Sequence, residues 1–395
     1  MASSDLPQIP NDIILKHILP KFPIKSLLRF KCLNQQYFST ISDPDFKISS
    51  QNKDRVLLTS PGKKISSEKL YYFVMNNEGH IQRYRKPPTR SRMMRETMII
   101  LGSCKGLILF SINEEIFLWN PSILRSCRKV IELDRLSSDH DYRVHSGFFY
   151  DNSEKDFKVV VRLLHSTPSY GGEWLISTSL KSKRWKHVSF PDNKDFASEG
   201  PVVNDRLHWV VCDRDPRKDT DEYDPYRHSF DWKLLSYNSI VYFDSSLDEF
   251  KLLPMPDPIE EGGDKIVSLG VIHECLCMIR KITFDSKCDV EILMMKEYGV
   301  KQSWTSSFII LDVIGGSMEL VMVSKQYDAL YSMINGKFYV YNPTTMTFKK
   351  ILDPKRRYKF STATPFIESA LPTNGYYWNA KEHKKGASTM YPNRI

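Results

Sequence analysis

The sequence lacks the spacings that mark metal sites, disulfide frameworks and nucleotide sites. Its seven cysteines are scattered without a CxxC pair, and its ten histidines form no HxH or HxxxH pair. Zinc modules and stapled secreted domains need such spacings, so neither class is predicted. No P-loop or glycine-rich dinucleotide fingerprint occurs either. We therefore expect no metal and no cofactor.

Long hydrophobic runs are also missing. The longest apolar stretch, MIILGSCKGLILFSI, is shorter than a bilayer span and contains Lys105. The opening MASSDLPQIP has neither the basic start nor the apolar run of a signal peptide. We expect no membrane association and a cytoplasmic or nuclear location. With 395 residues, of which 41% are hydrophobic, the chain is long enough for a large core.

Acidic residues are outnumbered, which gives a formal net charge of +9. The densest basic run is RYRKPPTRSRMMR at 83–95, and a second run, KRRYKF, lies at 355–360. No zinc finger, RNP motif or helix-turn-helix accompanies them, so we expect no nucleic-acid partner and interpret the runs as solvated loops. Binding to a nucleic acid or an acidic partner, and nuclear import, remain alternatives for 83–95.

Residues 9–46, IPNDIILKHILPKFPIKSLLRFKCLNQQYFSTISDPDF, carry helical patterns separated by prolines. The apolar spacing predicts one helix over 11–19, a second around Leu27 to Leu33 and a third over 35–41. About forty residues cannot bury enough surface to fold alone, so this helical block is expected to pack against something else.

After residue 50 the sequence changes to short apolar runs separated by turn residues, which is typical of an all-β domain. A polar residue followed six positions later by an aromatic recurs as Ser179/Trp185, Asp244/Phe250 and Asn342/Phe348. This spacing predicts hairpins whose aromatic packs inward from the second strand.

Such hairpins recur at roughly 45–65 residues, as expected for propeller blades of four strands. The predicted fold is therefore an α+β multidomain chain. A three-helix block at 6–50 precedes an all-β, propeller-like domain of about six blades at 51–372, and a flexible tail follows at 373–395. The strand TPFIESAL is expected to pair with RVLLTS and close the ring.

Two segments have features of a catalytic or a metal-binding site. GSCKG at 102–106 has the spacing of a cysteine nucleophile elbow, but LILF follows it where the elbow needs a helix, so a turn and a strand are predicted. The Asp-rich stretch at 212–232 lacks the glycine and glutamate of a calcium loop and reads as an inserted surface loop. Its aromatics, Tyr223, Tyr226 and Trp232, are the predicted substrate-binding residues. We expect no catalytic residue.

Taken in order, several motifs resemble the plant F-box proteins that carry a kelch-like, F-box-associated C-terminal domain. IPND, ILPKFPIKSL and RFKCL resemble the F-box. GSCKGLILF, LWNPS, GFFYDNSEKDFKVVV, IVYFDSSLDEFKLLPMP, MMKEYGVKQSW and FIESAL resemble successive segments of the associated domain. The resemblance spans roughly residues 6–372. Where the family has Ser-Lys-x-Trp, this chain has NQQY, with Tyr37 in the aromatic position.

The resemblance implies a substrate-recognition subunit of an SCF-type ubiquitin ligase. The F-box would dock on a Skp-type adaptor, and through it on a cullin–RING ligase, while the β domain binds an unidentified protein substrate. The receptor itself would be non-catalytic and would act by tethering. The residues expected to divide between the F-box interior and the adaptor groove are Ile9, Pro10, Ile13, Ile18, Leu19, Leu27, Leu28 and Phe30.

Two further readings stay open. RFKC and KEYGVKQSW are most similar to the S-locus type, whose pollen members recognise basic S-ribonucleases in self-incompatibility. A receptor with a charge of +9 would repel a basic target at long range, although the Asp-rich loop at 213–224 could offset this locally. The second reading is a non-degradative interaction scaffold whose F-box has lost its adaptor.

Overall fold

The structure is a computed structural model of the chain. The residues that it describes are 9–48, 55–59, 71–75, 81–85, 98–112, 115–123, 126–132, 142–165, 173–181, 186–190, 194–213, 237–258, 265–282, 289–311, 313, 318–323, 329–334, 337–351 and 362–373.

The helical block contains three helical stretches, of which the first is short and irregular. Helix α1, Asn11–Ile13, continues as a π-helical turn over Ile14–Ile18 and a 3-10 turn over Leu19–Lys21. Pro20 lies in that last turn and lacks the N–H that a continuing helix would need. Sequence spacing therefore located this stretch but missed its irregular geometry.

Helices α2, Ile24–Phe30, and α3, Gln35–Ile41, are regular single segments. Pro23 precedes the first residue of α2, where a missing N–H has no cost. The side chain of Asn34 accepts a hydrogen bond from the Tyr37 N–H at 2.8 Å and so caps α3. Asparagine in the NQQY segment thus has a structural role of its own.

The rest of the described chain is almost entirely β-structure. The strands are β1 Arg55–Thr59, β2 Tyr71–Met75, β3 Ile81–Arg85, β4 Met98–Cys104, β5 Leu107–Ile112, β6 Glu115–Trp119, β7 Cys127–Glu132, β8 Tyr142–Asp151, β9 Asp156–His165, β10 Glu173–Ser179, β11 Lys186–His187, β12 Lys194–Val203, β13 Arg206–Asp213, β14 Tyr237–Asp244, β15 Glu249–Leu252, β16 Lys265–Ile272, β17 Cys275–Lys281, β18 Val290–Met295, β19 Trp304–Ile310, β20 Glu319–Val323, β21 Leu330–Ile334, β22 Lys337–Asn342, β23 Thr347–Ile351 and β24 Thr362–Phe366.

These strands form six four-stranded antiparallel sheets, in the orders β24-β1-β2-β3, β4-β5-β6-β7, β8-β9-β10-β11, β12-β13-β14-β15, β16-β17-β18-β19 and β20-β21-β22-β23. The first strands of successive sheets are neighbours, from β4 through β8, β12, β16 and β20 to β24, which lies beside β4 again. The β domain is a β-propeller.

The two ends of the β domain are joined in one sheet. Strand β24 pairs antiparallel with β1, with Arg55 opposite Phe366 and Thr59 opposite Thr362. The predicted pairing of TPFIESAL with RVLLTS is therefore confirmed. The pairing gives β1, whose Leu57 is fully buried, a partner on each side and removes an exposed edge.

The predicted hairpins are confirmed at two of the three positions. Phe250 lies opposite Phe243 with the ring centroids 5.2 Å apart, and Phe348 lies opposite Tyr341 at 4.8 Å. Both hairpins turn on a polar side chain that accepts backbone N–H bonds. Asn342 Oδ1, for example, accepts from the N–H groups of Thr344 and Thr345, each at 2.9 Å. Trp185 of the third hairpin lies outside the described residues.

Each sheet has two ends, which are named here because they face different parts of the chain. In the sheets from β4 to β19, the first and second strands, and the third and fourth, are joined at one end, called the turn face. The second strand leads to the third at the opposite end, called the loop face. Contacts join the turn faces of neighbouring sheets: the Asn152 amide bonds to Asp205.

Candidate functional site

The helical block presents large apolar side chains to solvent. The most exposed are Leu33 at 65%, Ile9 at 56%, Phe38 at 45% and Ile13 at 41%. The Asn11 amide donates to the Gln36 side chain at 2.5 Å, which holds the start of the first helix against the first turn of α3. Together with Pro10, these residues are referred to below as the exposed apolar surface.

The eight residues that sequence reasoning assigned to the block divide into three groups. Ile9, Pro10 and Ile13 are exposed, and Ile18, Leu28 and Phe30 are half-buried. Leu19 and Leu27, at 2% and 0% exposure, are core residues of the block. Sequence reasoning did not assign Phe38 to the surface, because its position on an amphipathic helix does not reveal which face the fold leaves open.

The core of the block is completed by a residue from the far end of the chain. Its buried side chains are Leu15, Leu19, Ile24, Leu27, Ile41, Ile48 and Ala370. Ala370 follows the closing strand β24 by four positions. The block was expected to pack against something else, and part of that missing core is a segment of its own chain.

Charged contacts fix the block on the turn face. Asp45, which follows α3, pairs with Lys105 in the β4–β5 turn and with Lys155 in the β8–β9 turn, the latter at 3.7 Å. The hydrogen bond from Lys105 lowers the pKa of the Asp45 carboxyl. Lys105 also lies over the Tyr150 ring, 4.2 Å from its centroid. A cleft of about 440 Å³ lies beside these contacts and is lined in part by Asp45, Tyr150 and Lys155.

A short segment after β24 runs between the block and the propeller. Residues 367–373, called the strap below, have contacts on both sides. Leu371 packs into the propeller core, whereas Ala370 packs into the block, and the Lys31 amine donates to the Ala370 carbonyl at 3.0 Å. The Ser126 and Thr373 hydroxyls are 3.1 Å apart and hydrogen-bonded. The strap is therefore shared by both parts of the molecule.

The strap is anchored by one buried amide, that of Asn120 in LWNPS. Its Nδ2 lies 3.0 Å from the Ser369 carbonyl oxygen, 3.1 Å from the Ser369 hydroxyl and 3.0 Å from the Leu371 carbonyl oxygen. Its Oδ1 accepts from the Ser122 N–H at 2.9 Å, as polar residues do in the other hairpin turns. Asn120 is fully buried, so these bonds are shielded from water.

GSCKG at 102–106 ends strand β4 and forms the turn into β5 at Lys105 and Gly106, so the predicted turn and strand are confirmed. Lys105 and Gly106 have positive φ values of 46° and 79°, which close the hairpin tightly. Burial raises the pKa of the Cys104 thiol to about 12. A thiol with this pKa stays protonated at neutral pH and is a poor nucleophile. The segment is a structural turn, and its Lys105 contacts Asp45 of the helical block.

The three aromatic residues predicted to bind substrate, Tyr223, Tyr226 and Trp232, lie outside the described residues. The strand ends on either side of them are described. Asp213 ends β13 and Tyr237 begins β14, and both positions are at the loop face because Arg206 and Asp244 are at the turn face. The inserted segment therefore joins the sheet on the side away from the helical block.

A buried histidine connects two neighbouring sheets. His208 in β13 is fully buried, with Nδ1 3.1 Å from the Pro201 carbonyl oxygen and Nε2 2.8 Å from the Tyr298 hydroxyl. A carbonyl only accepts, so Nδ1 carries the proton and Tyr298 donates to Nε2. The Arg206 guanidinium lies over the Tyr242 and Tyr298 rings at 5.0 and 5.5 Å. This cluster fastens β12–β15 to β16–β19.

Stability between pH 7 and pH 5 is expected to depend on His208. Burial lowers its pKa from 6.5 to about 4. Between these values the unfolded chain binds a proton that the folded chain does not, so the free energy of unfolding falls as the pH falls. The expected loss from pH 7 to pH 5 is about 2 kcal/mol. Urea unfolding at the two pH values measures this loss in the free energy of unfolding.

His208→Gln, which does not titrate, should unfold at lower urea at pH 7 but lose less stability on going to pH 5. Carboxylates such as Asp244, whose pKa the Ser246 hydroxyl lowers to about 2, affect stability only below about pH 4. An equally steep decline in both proteins would show that His208 is not the group responsible.

Neither a metal-binding cluster nor a membrane-spanning helix is found among the described residues. Among them, no group of three or more His, Cys, Asp or Glu side chains is arranged to hold a metal ion. No helix in that part of the chain is long and apolar enough to cross a membrane.

Comparison with known proteins gives consistent matches. Residues 66–327 match the family described as F-box associated beta propeller domain. An F-box/kelch-repeat protein of Arabidopsis thaliana is 26% identical over 352 residues, which cover 82% of this chain and 88% of that protein. The F-box protein CPR1 of Arabidopsis thaliana is 28% identical over 333 residues, covering 76% and 73%.

Among solved structures, a chain of a nidogen/laminin complex is similar at a TM-score of 0.44 and 9% identity. The match covers 80% of this chain and 99% of that chain. A score of this size carries no argument about function.

Proposed function

The chain belongs to the plant F-box proteins that carry an F-box-associated β-propeller domain, and from that premise we propose that it is the substrate-recognition subunit of an SCF-type ubiquitin ligase. The observation that carries the proposal is the exposed apolar surface on the helical block. Single exposed apolar side chains are normal on soluble proteins, but a cluster such as the one that contains Ile13 and Phe38 is typical of a protein-interaction site. In this family the partner is a Skp-type adaptor.

In this proposal the three helical stretches are the F-box and the six four-stranded sheets are the blades of one ring. Ile9, Pro10 and Ile13, together with Leu33 and Phe38, form the adaptor contact. Ile18, Leu28 and Phe30 lie at its margin because they are half-buried. Leu19 and Leu27 act indirectly, since they hold the helices that carry the contact residues.

We assign substrate binding to the loop face. The helical block covers part of the turn face through Asp45 and its two lysine partners, and we assign the second protein to the opposite side. The long insertion between Asp213 and Tyr237 begins and ends there. Tyr223, Tyr226 and Trp232 remain the residues proposed to contact the substrate, because aromatics dominate binding energy in many interfaces.

The proposed receptor performs no chemistry of its own. It would hold a target protein near the cullin–RING ligase and so convert an intermolecular encounter into a tethered one. A cytoplasmic or nuclear location is proposed for the same reason, because the ligase acts there.

Proximity labelling in plant cells tests the degradative role. Proteins labelled by the wild-type chain should become more abundant when the proteasome is inhibited, and a variant that cannot bind the adaptor should label them equally with or without inhibitor. If the labelled proteins do not respond to the inhibitor in either case, the chain is a non-degradative scaffold. Enrichment of S-ribonucleases in pollen would favour the self-incompatibility reading.

A further inference from the structure

We propose that the strap, residues 367–373, is a positioning device that fastens the helical block to the propeller, and that the Asn120 amide is its anchor. The strap contains all of FIESAL except Phe366, and the anchor belongs to LWNPS, about 250 positions earlier in the chain. The inference goes beyond the proposed function, since it concerns a joint within one chain.

Asn120 has two roles, one in its own turn and one on the strap. Polar residues at the equivalent turns use only a side-chain oxygen to cap the turn: Asp244 accepts from the Ser246 N–H and hydroxyl, and Asn342 accepts from two N–H groups. Asn120 caps its turn in the same way. It also uses its NH2 group on the strap, which the carboxylate of an aspartate could not do.

The strap packs closely against the β4–β5 turn. Gly106, at φ +79°, lies under the strap so closely that an added Cβ would be 2.5 Å from the Ser369 Cβ and 2.7 Å from the Ile367 carbonyl oxygen. Only a glycine allows this approach in this backbone conformation. Asn120 therefore binds Ser369 through its amide, and Gly106 leaves the space that Ser369 occupies.

The strap contributes to the core of the helical block. Ala370, between the two anchored residues, is part of the block core, and its carbonyl accepts the Lys31 amine. A block of about forty residues has too little core to be stable alone. Releasing the strap should therefore remove part of the core and loosen the helices, although no helical residue has been changed.

Hydrogen–deuterium exchange on the full chain tests the proposal with a matched pair of variants. Asn120→Asp keeps the turn-capping oxygen and removes the donors to the strap. Asn342→Asp makes the same chemical change in an exposed turn away from the strap. We expect Asn120→Asp to speed exchange by about tenfold or more in the strap and in residues 24–41, with β16–β19 unchanged. Asn342→Asp should change neither region.

Faster exchange in the strap alone, with the helices unaffected, would overturn the positioning role, and so would unchanged exchange in both. If Asn120→Asp fails to fold, the pair Lys31→Met and Asp45→Asn weakens the joint from the block side only. It should speed exchange in 24–41 and leave the propeller protected; equal protection of the helices in this variant would overturn the proposal. No partner is added, so the outcome is independent of adaptor binding.

Discussion

Replacing Ile13 and Phe38 together by aspartate is expected to weaken binding of a Skp-type adaptor by about a hundredfold or more. Both side chains are exposed, at 41% and 45%, and lie on the two helical stretches that the Asn11–Gln36 bond holds together. A charge placed in an apolar interface must be desolvated without a partner, which disfavours the complex. Titration calorimetry against purified adaptor gives the affinities of both proteins.

The matched control is Leu311→Asp, since Leu311 is equally apolar, is 57% exposed and belongs to the propeller. It should bind the adaptor as the wild type does. Leu27→Ala is a contrasting variant: it removes a fully buried side chain and should destabilise the block by about 2–5 kcal/mol. Undiminished binding by the folded Ile13→Asp/Phe38→Asp chain would place the adaptor contact elsewhere.

Deleting residues 362–373 is expected to lower the melting temperature by about 10 °C or more relative to a chain that ends at Thr373. The deletion removes β24, which is the partner of β1, and with it the buried Phe366 and Leu371. Strand β1 would then present an open edge, and the strap contacts to Asn120 would also be lost.

Differential scanning calorimetry measures this change, and light scattering would report the aggregation expected of an open edge. Equal melting temperatures for the two chains would mean that the ring does not depend on the pairing of β1 with β24. A smaller decrease in melting temperature, with only the helical block destabilised, would mean that the strap contributes to stability and the closing strand does not.

The β-hairpins could be predicted from the sequence because their turn chemistry is local. The hairpins at Asp244 and Asn342 each have a polar residue that caps its own turn and an aromatic residue six positions later. The tight hairpins at Asn204–Asp205 and His273–Glu274 were harder to find. Their central residues all have positive φ, a conformation for which glycine is the usual signal, and they contain none.

The propeller repeat was hard to see for a different reason. The first strands of four sheets contain a register shift, for example between Ile100 and Gly102 in β4 and between Ile266 and Ser268 in β16. An extra residue reverses the inside–outside alternation from that point, so a strict period of two fails there.

The equivalent glycines of the repeat give no signal in the sequence, because each is a single glycine between different neighbours. Gly102, Gly147, Gly200 and Gly270 lie in the first strands of four consecutive sheets. A Cβ at any of them would meet atoms of the next strands or sheets within 3 Å, for example Phe148 Cβ at 2.6 Å from Gly102. They permit close packing around the ring.

The functional surface could be predicted only in part. Helical spacing predicts the helical block and its apolar residues, but the division into core and surface depends on how α2 and α3 pack. Leu19 and Leu27 proved to be interior, and Phe38, which was not assigned, is exposed. The strap could not be foreseen at all, because it joins segments that are about 250 residues apart and its anchor is a single amide.

The joint gives a geometric reason for the proposed function. The exposed apolar surface lies on the helical block, the block lies on the turn face, and the proposed substrate side is the loop face. Asp45, Lys31 and the strap connect the helical block to the propeller, and this connection would fix the distance between the proposed adaptor and substrate surfaces. A receptor that works by tethering benefits from such rigidity, because effective concentration falls when the geometry is loose.

Adaptor binding is tested directly by co-elution of the 395-residue chain with a purified Skp-type adaptor on a size-exclusion column. We predict one peak that contains both proteins in equal amounts and that also recruits the cullin when it is added. Separate elution of the adaptor from a wild-type chain that is folded, as judged by its circular dichroism, would contradict the assignment of the helical block as an adaptor-binding F-box.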